Sequence, residues 1–392
     1  MGARVDVVIL GGGIAGLWLL AALHRAGFSA VVLNKGNLGQ GQSIAAQGII
    51  HGGAKYFSDA PVSDLAPMPA RWRASLAGEN APDLRAAPPL ADAMQMWLPP
   101  QLGGGLLALF AKKSMLREMR ERGPGERLSV LPQGPGGTLF DVDEAVIDVP
   151  KVLATLQNLH CERVFGLPVG GEAGFTERRD GGVDIVVGAV KIQAQRIVLT
   201  AGSGNEELLS RAGLDNIRCQ RRPLHQIIIR GMTLPLYLHC IGKNPKPLAT
   251  ITSHPDSRGG YYWYIGGLLA EQGVGLGPEQ LIARAKAELS GLLPGADFGN
   301  AEWATHKVDR AEPGGGGGRG GLRPSSAVAL ARGAVIAGWP AKLALAPVLA
   351  EKVMELLAAD GVRPLPHDPS GLDALPRPIV ARPPWEMVAK WI

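Results

Sequence analysis

The chain opens on an apolar run, Val5-Asp6-Val7-Val8-Ile9-Leu10, that passes directly into Gly11-Gly12-Gly13-Ile14-Ala15-Gly16. A short run rich in β-branched residues predicts a strand buried on both faces. The apolar residues 17–23 predict the helix that the glycines open. A G-x-G-x-x-G turn set between strand and helix is the arrangement that binds dinucleotides. Gly11 permits the tight turn, Gly13 lets a diphosphate reach the backbone, and Gly16 lets the helix lie against the strand. The helix N-terminus, at Ile14 and Ala15, offers unpaired N–H groups and a partial positive charge to phosphate.

Residues 29–33, Ser-Ala-Val-Val-Leu, predict the second strand. An acidic residue commonly ends this strand and accepts hydrogen bonds from ribose hydroxyls. Asn34 stands there instead; it can bond a hydroxyl without the strength that charge adds. Lys35 suits either a 2′-phosphate or an exposed turn, and the turn is the preferred reading.

Residues 37–56, Asn-Leu-Gly-Gln-Gly-Gln-Ser-Ile-Ala-Ala-Gln-Gly-Ile-Ile-His-Gly-Gly-Ala-Lys-Tyr, are small and glycine-rich around a buried Ile-Ile pair. Small residues let backbone lie against a large flat ring. The segment resembles the flavin-contacting stretch of the D-amino-acid oxidase superfamily, which includes glycine oxidase, sarcosine oxidase and L-2-hydroxyglutarate oxidase. Ile50-His51-Gly52-Gly53 is most similar to the flavoprotein glycerol-3-phosphate dehydrogenases. The resemblance implies FAD as cofactor, with Gln42, Ser43, Gln47 and Gly48 among its contacts. Residues 196–205, a strand running into Ala201-Gly202, resemble the second cofactor-contacting turn. Gly321-Leu322-Arg323-Pro324, the strand 334–338 and the stretch Trp339-Pro340-Ala341-Lys342-Leu343 resemble the region that closes over the flavin. Three departures point to an outlying branch: Asn34, Trp339-Pro340 in place of a Gly-His pair, and the polyglycine stretch 314–321.

The implied fold class is α/β: a Rossmann-like FAD-binding domain, a parallel sheet with helices, plus an inserted α+β substrate domain with a mainly antiparallel sheet. The FAD-binding domain is expected from residues 1–60, 149–215 and 321–362. The substrate domain is expected from 61–148 and 216–320, with strands near 226–230, 236–240, 248–252 and 261–265 and a helix at 278–289. Residues 363–392 form a proline-rich tail that wraps the surface or moves freely.

With 392 residues the chain exceeds one ordinary domain. Three scattered cysteines, Cys161, Cys219 and Cys240, form neither a disulfide framework nor a metal-ligand spacing. No metal is expected. A net charge of +5 without a basic aromatic platform argues against nucleic acid. Because the nucleotide strand stands at the start of the sequence, a cytoplasmic location without a cleaved leader is expected. Residues 103–113, apolar with Lys112 and Lys113 at the end, suit peripheral membrane contact; a core or partner-facing helix is the preferred reading.

Flavin oxidation of a small anionic substrate needs a group to take a proton and a group to hold the anion. His51, in the flavin segment, either takes that proton or shapes the flavin site through backbone bonds. His225, which starts a strand of the substrate domain, is the second candidate, ahead of His239 and His254. Arg323 matches the position that pairs with substrate carboxylate in amine-oxidising members, and a guanidinium grips such a group with two parallel bonds. Arg258 is a second anion candidate, the aromatic run Tyr261-Tyr262-Trp263-Tyr264 either walls the pocket or is core, and Lys342 either faces the reduced flavin or lies along the surface. The implied reaction oxidises a C–O or C–N bond of a hydroxy acid, polyol phosphate or amino acid by hydride transfer to flavin N5, with oxygen, a quinone or a carrier protein as final acceptor. The alternatives are a flavoprotein monooxygenase, for which no second nucleotide motif is visible, and a non-catalytic flavin subunit with a degraded site.

Overall fold

A computed structural model describes residues 2–53, 64–100, 119–242, 246–314, 326–365 and 371–392. Arg323, most of the polyglycine stretch and the segment 103–113 lie outside the described residues. In chain order the strands are β1 (Gly2–Leu10), β2 (Ala30–Asn34), β3 (Met94–Leu98), β4 (Met119–Glu121), β5 (Thr138–Val142), β6 (Val164–Gly166), β7 (Ala173–Glu177), β8 (Val183–Val187), β9 (Val190–Leu199), β10 (Cys219–Met232), β11 (Leu238–Ile241), β12 (Pro247–Pro255), β13 (Tyr261–Gly266), β14 (Glu302–Pro313), β15 (Val328–Arg332) and β16 (Val335–Trp339). The helices are α1 (Ile14–Arg25), α2 (Met68–Leu76), α3 (Val149–Leu159), α4 (Asn205–Arg211), α5 (Leu268–Gln272), α6 (Pro278–Leu292) and α7 (Ala346–Ala359).

The strands form two sheets among the described residues. The first runs β15-β16-β9-β1-β2-β6, with the hairpin β7-β8 attached to β9. Its centre is parallel: β1 pairs with β2 and β9, and β9 with β16. β1 is buried on both faces because alternate residues feed separate cores. Val7 and Ile9 pack with Leu17, Leu20 and Leu23 of α1 and with α3 and α7. Val8 and Leu10 pack on the opposite face with Ile185, Ile192 and Ile197. Burying such side chains contributes about 1.5–3 kcal/mol each. Asp6 in β1 is fully buried. It accepts from Ser29 N–H at 2.8 Å and from Gln195 Nε2 at 2.6 Å, so it ties β1 to the approach of β2 and to β9.

The second sheet runs β14-β10-β13-β12-β11-β3-β5-β4, antiparallel except for β11 beside β3. Its core packs Ile227, Ile229, Ile251, Trp263 and Ile265 against Leu281, Ile282, Ala285 and Leu289 of α6. Some elements differ from the sequence expectation. β9 is one continuous strand of ten residues that begins at Val190, ahead of the strand expected from residue 196. β14, a polar-looking stretch without a predicted strand, pairs along its whole length with β10.

The tail packs closely where it is described. Ala381 N–H donates to Leu38 O at 2.9 Å, and Leu38 N–H to Ile379 O at 2.8 Å. Trp303 and Ile392 exchange two backbone bonds of 2.9 and 2.8 Å. Trp385 stacks on His254 at 3.8 Å between ring centroids. The tail thus joins the first sheet's glycine-rich segment to the second sheet.

Burial pushes the His254 imidazole from its ordinary 6.5 down to about 3. Between those values the unfolded chain binds a proton that native His254 does not, so acid destabilises the native state at about 1.4 kcal/mol per pH unit. Urea unfolding at pH 6.5 and pH 5 is expected to show wild type losing about 2 kcal/mol more than His254→Phe, which keeps an aromatic ring under Trp385. A second expectation concerns Gly16. A Cβ there would lie 2.0 Å from Gly11 O and 2.8 Å from Thr200 Oγ1. Gly16→Ala should therefore force α1 off β1 and cost at least about 2 kcal/mol in the same assay.

Candidate functional site

The glycine turn is held from beneath by β2. Gly11 N–H donates to Leu33 O at 3.0 Å, and Gly12 N–H donates to Asn34 Oδ1 at 2.8 Å. Gly11 has φ of +114°, and a Cβ on it would lie 2.7 Å from Ala201 backbone. Helix α1 begins at Ile14 after Gly13, whose lack of a side chain leaves the helix end open. Ser43 Oγ accepts from Ile14 N–H at 3.1 Å, so this hydroxyl stands at the donor end of α1.

From this turn a cavity of about 1100 Å³ extends between the two sheets. Of the cofactor contacts expected from sequence, all but Gly16 line it: Gly11, Gly13, Ile14, Ala15, Asn34, Lys35, Gln42, Ser43, Gln47, Gly48, Ala201, Gly202, Trp339, Lys342 and Leu343. Gly16 acts instead through its close approach to Gly11. The Asn34 amide is used by the protein itself: besides accepting from Gly12 it donates to Gly36 O at 3.0 Å. It braces the turn where a free ribose ligand was expected. Lys35 is an exposed turn residue, 3.8 Å from Glu172.

Two glutamines couple the glycine-rich segment to the second sheet. Gln47 Nε2 donates to Thr250 O at 2.8 Å and to Tyr264 O at 2.9 Å. Gln42 Oε1 accepts from Ala311 N–H at 2.7 Å. The tail adds Ala381, Arg382, Pro384 and Met387 to the lining. Ala341, also in the lining, holds φ at +58°. A left-handed conformation costs a residue with a Cβ about 1–2 kcal/mol.

His51 lies at the cavity wall with its side chain 14% exposed. Its Nδ1 is 3.0 Å from Glu144 Oε2, and His239 Nε2 is 3.3 Å from the same oxygen. Glu144 Oε1 accepts from Gly52 N–H at 3.2 Å. Burial alone would raise the Glu144 carboxyl, but His51 and His239 outweigh it and hold the group well below the usual carboxylate range. Both ring nitrogens therefore face an ionised, acceptor-only carboxylate. His239 Nδ1 is 3.0 Å from Thr250 Oγ1, its neighbour across β11 and β12.

His225 does not share this site. Leu224 and Gln226 line the cavity, and strand alternation turns His225 to the other face of β10. There it is buried, with Nδ1 3.1 Å from Gly273 O and Nε2 2.8 Å from Thr305 Oγ1. Its expected role as proton acceptor is corrected on that ground. Opposite Gln226 in the register, His306 does line the cavity, with burial and then neighbouring His225 pushing its imidazole down. Arg258 pairs with Asp256 at 3.3 Å outside the lining. Tyr264 is core: its hydroxyl bonds Gln226 Oε1 at 2.6 Å and Ala45 O at 3.0 Å. Cations the sequence reading passed over line the cavity, among them Lys246, Lys307, Arg310 and Arg382. Lys246 and Arg310 flank Glu271 at 3.6 and 3.9 Å.

A family model described as FAD dependent oxidoreductase, DAO, matches residues 6–266. The probable FAD-dependent oxidoreductase PA4991 of Pseudomonas aeruginosa is 43% identical over 392 residues, 97% of each chain. Its crystal structure superposes with a TM-score of 0.84 over 98% of both chains, at 39% identity in that superposition. Glycine oxidase from Geobacillus kaustophilus, 20% identical, matches with a TM-score of 0.64 over 94% of this chain and 98% of its own. L-α-glycerophosphate oxidase from Mycoplasma pneumoniae with FAD bound, 15% identical, matches at 0.63 over 93% and 99%. These last two share the fold. The residues present fit FAD: the side-chain-free turn and open end of α1 suit its diphosphate, and the cavity continues from there to Gln47, Gly48 and Trp339–Leu343 with room for a ring system. No described helix is long and apolar enough to cross a membrane. The chain belongs to the DAO family and is an FAD-dependent oxidoreductase.

Proposed function

We propose that this oxidoreductase oxidises a C–O or C–N bond of a small anionic molecule, a hydroxy acid, polyol phosphate or amino acid, with His51 as the proton acceptor. The observation that carries the reading is the His51–Glu144 pair at the cavity wall. When bound, FAD supplies an acceptor for the hydride that leaves the substrate carbon. The protein's part is to bind the anion and take the proton from the substrate oxygen or nitrogen. An imidazole backed by a carboxylate suits this task, because the carboxylate fixes the ring and stabilises the charge it gains. Glu144 is well placed to act so, since Gly52 N–H and His239 hold it from other sides. The lining cations Lys246, Lys307, Arg310 and Arg382 support an anionic substrate. Arg323 remains the proposed carboxylate partner from the family pattern.

Anaerobic bleaching of the flavin by a panel of hydroxy acids, glycerol phosphate and amino acids tests the reading. At least one such compound should bleach the wild type; bleaching by NADPH alone would favour a monooxygenase instead. With the active donor, His51→Gln should slow reduction by roughly 10²–10⁴-fold while FAD stays bound. An unchanged rate removes His51 from proton transfer. Arg323→Ala should raise the apparent KM for that donor and leave the flavin spectrum intact.

A further inference from the structure

We propose that His51, Glu144 and His239 form a binding site for a divalent cation of the zinc class, set in the wall of the flavin cavity. Their donor atoms all lie within 4.8 Å of one another. Two of the three separations, 3.0 Å from His51 Nδ1 to Glu144 Oε2 and 3.3 Å from His239 Nε2 to that oxygen, are close to a tetrahedral edge. With zinc–nitrogen and zinc–oxygen bonds of about 2.0–2.2 Å, neighbouring ligands of a tetrahedral ion stand about 3.3 Å apart. The third separation, His51 to His239, is no more than 4.8 Å, and His51 is the member at the cavity edge.

The donor set fits zinc as well as the spacing does. Two imidazoles and one carboxylate leave a coordination position for water or a small anion. The outer contacts already orient the ligands. Thr250 Oγ1, 3.0 Å from Nδ1 of His239, directs the opposite nitrogen toward the cluster. Gly52 N–H occupies Oε1 of Glu144 and leaves Oε2 as the shared point. Glu144 and His239 are fully buried, and the strand pair β11-β12 fixes His239. His51 lines the cavity, which gives an ion from solvent a route in. The ligands lie 93 and 95 residues apart in sequence, so no local spacing announces them.

An ion bound there takes His51 out of its pairing with Glu144. Under the proposed function, on which this clause alone rests, such a cation inhibits the enzyme. Binding itself depends only on the cluster.

The test uses FAD-loaded full-length protein and zinc chloride. Equilibrium dialysis should retain one zinc per chain, and zinc-edge X-ray absorption should show two imidazole nitrogens at about 2.0–2.1 Å with oxygen completing the shell. His239→Gln and His51→Gln should each weaken retention by at least about tenfold. His51→Gln, at the cavity edge, carries the test alone if the buried substitution prevents folding. No zinc retained by wild type, or retention unchanged in His51→Gln, overturns the proposal; the second result would place the ion elsewhere, for instance at the His24–His160 ring pair. Zinc held by the cluster without slowing flavin reduction would instead count against His51 as proton acceptor and leave the site standing.

Discussion

The architecture depends on one close approach between backbones, where the first turn of α1 touches the end of β1. Gly16 fits only because no Cβ intrudes on Gly11 O, which it would meet at 2.0 Å. With the helix this near, its open N-terminus falls directly over the glycine turn. Asn34 then pins Gly12 from the neighbouring strand, and Ser43 reaches the first N–H of the helix. Three segments distant in sequence thus converge on one small region at the positive end of the helix, which suits a diphosphate.

The second consequence of that convergence is rigidity between the two sheets. The chain leaving the turn runs along the seam, and Gln42 and Gln47 bond backbone groups of β14, β12 and β13. The tail closes the same seam from outside, pairing with Leu38 at one end and with Trp303 at the other. The cavity wall is therefore built from both sheets and the C-terminal segment together. The cavity that starts at the turn is lined by residues whose positions are set by the second sheet, His51 among them through Glu144 and His239.

Legibility in the sequence followed the range of the interaction. The β1–α1–β2 unit was readable because its signals are local: a β-branched run, glycines at set positions, then an apolar helix. The glycine-rich segment and the Ala201 turn were readable in the same way, and the cavity collects them. β14 was not, since Glu302–Pro313 carries charges along a strand that lines a cavity and so lacks an apolar stripe. His225 and His306 show a finer limit. They lie one register apart across β10 and β14, and only the pairing decides which one reaches the cavity. Glu144 gave no signal at all, because its role comes from two histidines brought to it by different segments. Asn34 could be read as a departure from the family, but its use as a brace for Gly12 needed the fold.

We take a single cavity to carry the cofactor from the glycine turn to His51, and a crystal structure of the FAD-loaded chain checks this. The expected result is a diphosphate seated against Gly12, Gly13 and Ser43, with the flavin ring ending beside the His51 imidazole. A flavin ring directed away from His51, or separated from it by protein, would contradict the claim.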